Sequence, residues 1–167
     1  MNKFSFEFAS DYTPEQVWSA LNTPLPEDIS RRMYYGLAID YEGLDENRRI
    51  RTGTRQVCNL DTGKLSIVSS IIPNFPDKIA VSVTELTDEF RQDVFDPGQF
   101  VEGTLNRRVR EKSGKGILVA EGELAISGAV AERWSSFLGD ADSTAVYYGV
   151  QKPNEEMVVR ISEILKL

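Results

Sequence analysis

The sequence predicts an α+β fold, in which a curved antiparallel β-sheet wraps around a C-terminal α-helix and two short helices follow the first strand. Three observations support this prediction. Phe4, Phe6 and Phe8 alternate with polar or charged residues, which is the period-two pattern of a half-buried strand. Short strand-like runs separated by turn-forming residues fill the middle of the chain. The last segment, Asn154–Leu167, is amphipathic with helical spacing and therefore needs an apolar surface to cover.

The terminal segment has its apolar residues on one helical face and charged residues on much of the rest. Pro153 stands just ahead of it, where the first turn of a helix tolerates a missing N–H. Glu155 and Glu156 suit the positive end of the helix dipole. The residues predicted to face the sheet are Met157, Val158, Ile161, Ile164 and Leu165.

The first helix has several start signals that agree. Thr13 is a good N-cap, Pro14 takes the first helical position, and Gln16 completes a capping box. A second short helix is predicted at about Pro26–Met33, after the prolines that end the first one. In the sequence, both helices would come after the first strand and before the central run of strands.

Strand signals dominate from Tyr34 onward, and a helical pattern returns after Gly128. The acidic stretch Thr87–Gly98 is predicted to be irregular, and Ala129–Leu138 to form a short helix. Ser143 or Thr144 is placed to cap the segment that follows. The predicted strands are Leu37–Tyr41, Arg49–Asn59, Leu65–Ile72, Lys78–Leu86 and the hairpin pair Phe100–Arg110 and Ile117–Ser127.

Composition limits the classes of function. A length of 167 residues suits one domain over residues 1–167. The formal net charge of −7 argues against nucleic-acid binding, which depends on a positive surface. No run approaches the roughly 20 apolar residues of a membrane span, and the first residues do not have the pattern of a secretory signal. We therefore expect a cytoplasmic protein without membrane insertion.

The chain contains no histidine and one cysteine, Cys58. The absence of histidine removes the commonest general base and the commonest metal ligand. A single cysteine cannot form an intramolecular disulfide, and it fits a reducing compartment. Any chemistry would therefore depend on carboxylates, tyrosine, lysine or arginine, and no cofactor is predicted.

The order of these elements resembles the START/polyketide-cyclase superfamily, also called the SRPBCC or helix-grip group. Phe4–Ala9 leading into Thr13–Leu21 is similar to the opening strand and "exxvWxaL" helix of that group. Arg51–Arg55 resembles the "xGt" start of its third strand, and Glu155–Leu167 its closing helix. The likeness covers the whole chain by element order and the first twenty or so residues by local motif.

The resemblance implies a single START-like domain with a deep apolar cavity between the sheet and the last helix. Members of the superfamily bind or carry lipids, hormones and polyketides, and some cyclise or dehydrate such substrates. They share no single catalytic set, so the catalytic residues of this chain are unknown at this point. The sequence departs from the pattern in the Thr87–Gly98 stretch and at Pro153, which would split or kink the closing helix.

Aromatic residues cluster where the mouth of that cavity would lie. Tyrosine gives a pocket apolar walls and a hydroxyl group that orients a ligand. Packing in the core and at its rim is the alternative for each of these residues. The predicted ligand-binding residues are Tyr34, Tyr35, Tyr41, Trp134, Tyr147, Tyr148 and Met157.

Charged residues offer weaker candidates. Arg49, Arg51 and Arg55 alternate onto one face of a predicted strand and form a candidate anion site for a carboxylate or phosphate. The alternative for them, and for Arg107, Arg108 and Arg110, is a solvated face paired with carboxylates. No metal site is predicted, because the spacing of Asp88, Glu89, Asp93 and Asp96 fits a solvated loop better than a set of metal ligands.

The leading functional hypothesis is the binding of a hydrophobic small molecule, lipid-like or polyketide-like, between the sheet and the C-terminal helix. The first alternative is a cyclase or dehydratase of natural-product type that uses the same cavity. The second is a protein-interaction module without a ligand. Whether the protein is an enzyme, and whether it forms a homodimer, stay open at this stage.

Overall fold

The computed structural model describes residues 2–34, 36–60, 71–72, 75–126 and 128–166. Within 128–138 the side chains of residues 129, 134, 135, 137 and 138 are outside the description. A π-helical turn, Tyr147–Gln151, joins two of the helices. The elements are β1 (Asn2–Ala9), α1 (Pro14–Leu21), α2 (Glu27–Met33), β2 (Ala38–Glu42), β3 (Arg55–Asn59), β4 (Lys78–Leu86), β5 (Arg91–Phe95), β6 (Val101–Lys112), β7 (Lys115–Ile126), α3 (Gly128–Leu138), α4 (Ala141–Val146), α5 (Lys152–Val159) and α6 (Ile161–Leu165).

The described strands form one antiparallel sheet in the order β1-β7-β6-β5-β4-β3-β2. Consecutive strands are neighbours from β2 to β7. The exception is β1, which pairs with β7, and Phe6 lies opposite Ala120 in this pairing. The predicted fold class, a curved antiparallel sheet with a C-terminal helix and two short helices after the first strand, is confirmed.

Two glycines allow neighbouring backbones in the curved sheet to approach closely. A Cβ atom on Gly122 of β7 would lie 2.0 Å from the carbonyl oxygen of Thr104 on β6. Gly103 of β6 has a φ of +141°, and a Cβ atom there would lie 2.1 Å from the carbonyl oxygen of Glu123. Glycines at such positions are typical of strands that bend.

The core lies between the sheet and the helices that cover one of its faces. Val17 of α1, Leu118 of β7 and Ile161 of α6 have no exposed surface and belong to the same apolar cluster. The alternating phenylalanines of β1 also pack against this cluster, as their spacing predicted. A second, smaller cluster contains Val101 and Ile126. In the described part of the chain, no helix is both long and apolar enough to cross a membrane.

The terminal helix begins earlier than predicted. The helical backbone runs without a break from Ala141 to Val159, whereas the sequence placed its start at Asn154. The π-helical turn stands directly before Pro153, whose ring would clash with the carbonyl group of Gly149 in a regular α-helix. In the π turn the Lys152 N–H group donates to the Tyr147 carbonyl oxygen, five residues back along the chain instead of four. The helix is interrupted at Arg160 instead, which has φ −114° and ψ 18°.

Other local predictions have mixed outcomes. The capping box of α1 is present, and α2 covers most of the predicted second helix. The cap of α4 is Asp140, whose side chain accepts a hydrogen bond from the Ser143 N–H group, so the prediction of Ser143 or Thr144 as the cap is wrong. The predicted strand Leu65–Ile72 lies mostly outside the described residues. The strand predicted from Arg49 starts only at Arg55.

We expect the replacement Thr13→Ala to lower the free energy of unfolding by about 1 kcal/mol. Thr13 Oγ1 accepts from the Gln16 N–H group at 3.2 Å, and Gln16 Oε1 accepts from the Thr13 N–H group at 3.0 Å. Urea denaturation measures the change. Thr52→Ala is the matched control, because Thr52 is exposed in a turn, and an equal loss in both variants would contradict a capping role.

Candidate ligand site beneath the terminal helices

A small cavity lies between the concave face of the sheet and the helices α1, α2 and α5. Its volume is about 30 Å³, which is room for roughly one or two water molecules. The resemblance implied a deep apolar cavity, and the observed one is smaller and more polar. The residues that line it are Ala20, Leu21, Thr23, Leu25, Met33, Tyr34, Tyr41, Ile50, Gln56, Arg91, Arg107, Pro153, Asn154 and Met157.

A buried ion pair on β5 forms the polar base of this site. Arg91 and Asp93 are two residues apart on one strand, so their side chains share a face. Arg91 Nε donates to Asp93 Oδ1 at 2.9 Å, and Arg91 Nη2 donates to Oδ2 at 3.2 Å. The two side chains are only 1% and 3% exposed. Arg91 Nη1 also donates to the Leu21 carbonyl oxygen at 2.7 Å, which links β5 to the end of α1.

Arg107 of β6 extends the pair into a larger buried cluster. It lies opposite Arg91 in the strand register, and its Nη2 donates to Asp93 Oδ2. Its Nη1 donates to Asn154 Oδ1 of α5 at 3.1 Å. Asn154 Nδ2 in turn donates to the Val150 carbonyl oxygen at 2.7 Å. Among the described residues, no partner accepts a hydrogen bond from Arg107 Nε, which is buried.

The charges in this cluster shift each other's ionisation. Burial alone would raise the pKa of the Asp93 carboxyl, but the guanidinium groups of Arg91 and Arg107 outweigh burial and hold that pKa below its ordinary value. Burial lowers the pKa of Arg107, and the attraction of Asp93 opposes part of this decrease. The cluster therefore combines two guanidinium groups with one carboxylate.

Two tyrosines complete the wall of the cavity next to the charges. Burial raises the pKa of Tyr34 well above its ordinary value and raises the pKa of Tyr41 to about 12. Tyr41 Oη accepts a hydrogen bond from the Leu25 N–H group at 2.9 Å, so the hydroxyl group still has its own hydrogen to donate. Both side chains are neutral hydrogen-bonding groups near neutral pH.

Solved structures share this architecture. Ara h 8.0201 aligns with a TM-score of 0.62 at 10% sequence identity, over 99% of this chain and 99% of that chain. Truncated norcoclaurine synthase from Thalictrum flavum aligns with a TM-score of 0.60 at 10% identity, over 98% of this chain and 92% of that chain. This chain has the helix-grip fold. The fold expected from the resemblance to the START/polyketide-cyclase superfamily is thereby confirmed.

A bacterial structure extends this comparison. A protein from Chromobacterium violaceum aligns with this chain at a TM-score of 0.57 and 14% sequence identity, over 96% of each chain. No family model matches the sequence, and no curated protein matches it. At these identities the likeness concerns the fold alone, so the site must be argued from this chain's own residues.

Three of the residues predicted to contact a ligand lie together in the helix-grip cavity: Tyr34, Tyr41 and Met157. Tyr147 and Tyr148 lie on the surface instead, 41% and 47% exposed, with their rings 4.9 Å apart in an edge-to-face pair. Tyr35 and the side chain of Trp134 are outside the described residues.

The arginines predicted as an anion site do not share a strand face. Arg55 lies on β3 and forms ion pairs with Glu42 at 3.1 Å and Asp96 at 2.6 Å. Arg51 lies in the loop before β3 and donates to the Gly43 carbonyl oxygen at 2.9 Å. Arg49 is exposed in the same loop. These positions correct the prediction of one strand that carries all three.

The most buried charged residues of the site were predicted from the sequence to lie in contact with solvent. The stretch that contains Asp93 was predicted to be a solvated loop, which is wrong, since β5 buries both Asp93 and Arg91. Arg107 was grouped with solvated arginines. Its neighbours Arg108 and Arg110 do form exposed pairs, with Glu121 and Glu7, whereas Arg107 points to the core side.

Proposed function

We propose that this protein binds a small molecule with a hydrophobic body between the sheet and the terminal helices, in contact with Tyr34, Tyr41 and Met157. The observation that carries this proposal is the cavity itself. Aromatic and apolar side chains from α2, β2 and α5 converge there on one buried polar cluster. Ligand pockets generally combine a mostly apolar wall with a few convergent polar groups.

Binding requires the cavity to expand, because pockets for small molecules usually measure about 300–1,000 Å³. The structure suggests how this happens. The helix α5, which supplies Met157 and Asn154 to the wall, has the π-helical turn on one side and the break at Arg160 on the other. The regular α-helical hydrogen bonding is interrupted at both places, and π turns are frequent at functional sites. A shift of α5 away from the sheet would open the space.

The neighbouring folds support a role in binding. A point mutant of norcoclaurine synthase from Thalictrum flavum has been solved in complex with a transition state analogue, at a TM-score of 0.57 and 9% identity to this chain. That protein's helix-grip fold therefore accommodates a small molecule.

An enzyme using the same cavity is the second candidate, and the buried cluster of Arg91, Asp93 and Arg107 favours it. Such a cluster could stabilise negative charge that develops on a substrate. Proton transfer suits it less well, because the pKa of Asp93 is lowered and the pKa values of Tyr34 and Tyr41 are raised, all away from neutrality. Binding is therefore the better account of the site.

The test uses 1-octanol as a neutral probe and NMR of protein labelled at the methionine methyl groups. Met33 and Met157 both line the cavity, so we expect both methyl signals to move along one saturable curve as 1-octanol is added. Each signal is assigned by replacing that methionine with leucine. Signals that stay fixed over the whole titration would contradict binding at this site.

A matched pair of truncations checks the location. Met157→Ala enlarges the cavity, so we expect 1-octanol to bind more tightly to this variant than to the native protein. Ile126→Ala removes a similar apolar volume from the second core cluster, away from the cavity, and should leave the affinity unchanged. Equal effects of the two truncations would place the probe elsewhere.

A further inference from the structure

The buried cluster carries more positive than negative charge. Arg91 and Arg107 contribute two positive charges, and Asp93 contributes one negative charge. The lining of the cavity contains both arginines and neither aspartate nor glutamate. A buried charge without a counter-charge is costly, so this site favours an occupant that brings one negative charge.

The hydrogen bonds show which donor of the cluster is buried without an acceptor. Both oxygens of Asp93 already accept from guanidinium groups. Arg91 is held by Asp93, Leu21 and Asn22, so its donors are directed into the protein. Arg107 uses Nη1 and Nη2 on Asn154 and Asp93 and keeps Nε–H without an acceptor among the described residues. This unpaired buried donor belongs to a side chain that lines the cavity.

We propose that the ligand carries a single carboxylate group that accepts a hydrogen bond from Arg107 Nε, so that the protein selects hydrophobic monocarboxylic acids over their neutral analogues. This inference rests on the proposed function of the cavity and adds the chemical class of the ligand. One carboxylate balances the excess positive charge, whereas a phosphate monoester would bring up to two negative charges. Carboxylates are also preferred partners of guanidinium groups.

The surroundings of Arg107 suit this arrangement. Tyr41, which lines the same cavity, has a hydroxyl hydrogen to donate to a second oxygen atom. Met33 and Met157 supply apolar surface for the rest of the molecule. The protein as a whole has a net charge of −7, so its surface repels anions. The site around Arg91 and Arg107 is locally positive and attracts a carboxylate.

The test compares octanoate with 1-octanol by isothermal titration calorimetry near neutral pH, where the acid is ionised. We expect the native protein to bind octanoate about ten to a hundred times more tightly than 1-octanol. This ratio of affinities corresponds to the usual contribution of one hydrogen bond to a charged group. Arg107→Gln should lower the affinity for octanoate to that for 1-octanol, so that the preference disappears. Arg107→Lys, which restores the charge, should recover part of the preference.

Arg108→Gln is the control, because Arg108 is the next residue on β6 and has a half-exposed side chain paired with Glu121. It should keep the full preference for octanoate. Equal affinities of the native protein for octanoate and 1-octanol would overturn this inference and leave the proposed function standing. Tighter binding of octyl phosphate than of octanoate would overturn the assignment to a carboxylate. Failure of both octanoate and 1-octanol to bind would contradict the proposed function and this inference together.

Discussion

The replacement Asp93→Asn should lower the free energy of unfolding by about 3–5 kcal/mol, the usual cost of removing one partner from a buried ion pair. Asparagine has nearly the same shape as aspartate, so the packing of the site is kept while its negative charge is lost. Arg91 and Arg107 would then be left in the interior with two positive charges and no counter-charge. Urea denaturation followed by circular dichroism measures the change.

Glu121→Gln is the matched control for Asp93→Asn. Glu121 pairs with Arg108 at 3.5 Å, and both side chains are half exposed. Exposed pairs of this kind contribute about 0–1 kcal/mol, so the control should stay within that range. A loss for Asp93→Asn as small as that of the control would show that the buried cluster does not stabilise the fold in the way described.

The native protein and the Asp93→Asn variant should also differ in how their stability changes at acidic pH. The pKa of the folded-state Asp93 carboxyl lies below its ordinary value of 3.8. The stabilisation from this group is therefore fully present above that ordinary value and is lost as the pH falls through the folded-state pKa. In Asp93→Asn this part of the acid sensitivity should disappear, while the part from Asp96 and Glu156 remains. Unfolding curves recorded at decreasing pH show the difference.

The replacement Gly122→Ala should lower the free energy of unfolding by about 3 kcal/mol or more, or prevent folding. The added Cβ would lie 2.0 Å from the Thr104 carbonyl oxygen, so the two longest strands, β6 and β7, would have to separate. Backbone atoms cannot move aside as the end of a flexible side chain can. Thermal and urea denaturation measure the loss.

Gly149→Ala serves as the comparison for Gly122→Ala. A Cβ atom on Gly149 would meet no atom within 4 Å, and the residue lies in the helical run between Tyr147 and Gln151. Alanine is favoured over glycine in helices, so this variant should be neutral or slightly more stable. Similar losses in both variants would contradict the close approach of β6 and β7.

The order of the elements was predictable because most of the chain obeys simple patterns. The alternating phenylalanines of β1, the capping box at Thr13 and the hairpin of β6 and β7 each have a local signal that the structure matches. The exception is β5. Its inward positions are occupied by Arg91 and Asp93, so a search for alternating apolar residues treats the strand as a solvated loop.

The candidate site was harder to predict because charged residues at its centre face the core. Tyr34, Tyr41 and Met157 follow from the general tendency of aromatic and apolar residues to line cavities. Arg107 did have a usable signal. It lies between Leu105 and Val109 at period-two spacing, and both of these pack against the core, so the alternation on β6 places Arg107 on the apolar face. Its hydrogen-bonding partners, Asp93 and Asn154, could not be predicted without knowing which strands and helices are neighbours.

The position of β1 in the sheet also has a consequence for biosynthesis. Phe4, Phe6 and Phe8 gain their cross-strand neighbours only when Gly122, Ala120 and Leu118 are in place. During synthesis on the ribosome, β1 is therefore made long before its partner β7. Until β7 is complete, the three phenylalanine side chains have no native strand to pack against. Contacts between such distant segments slow folding, and exposed aromatic surface favours association between nascent chains.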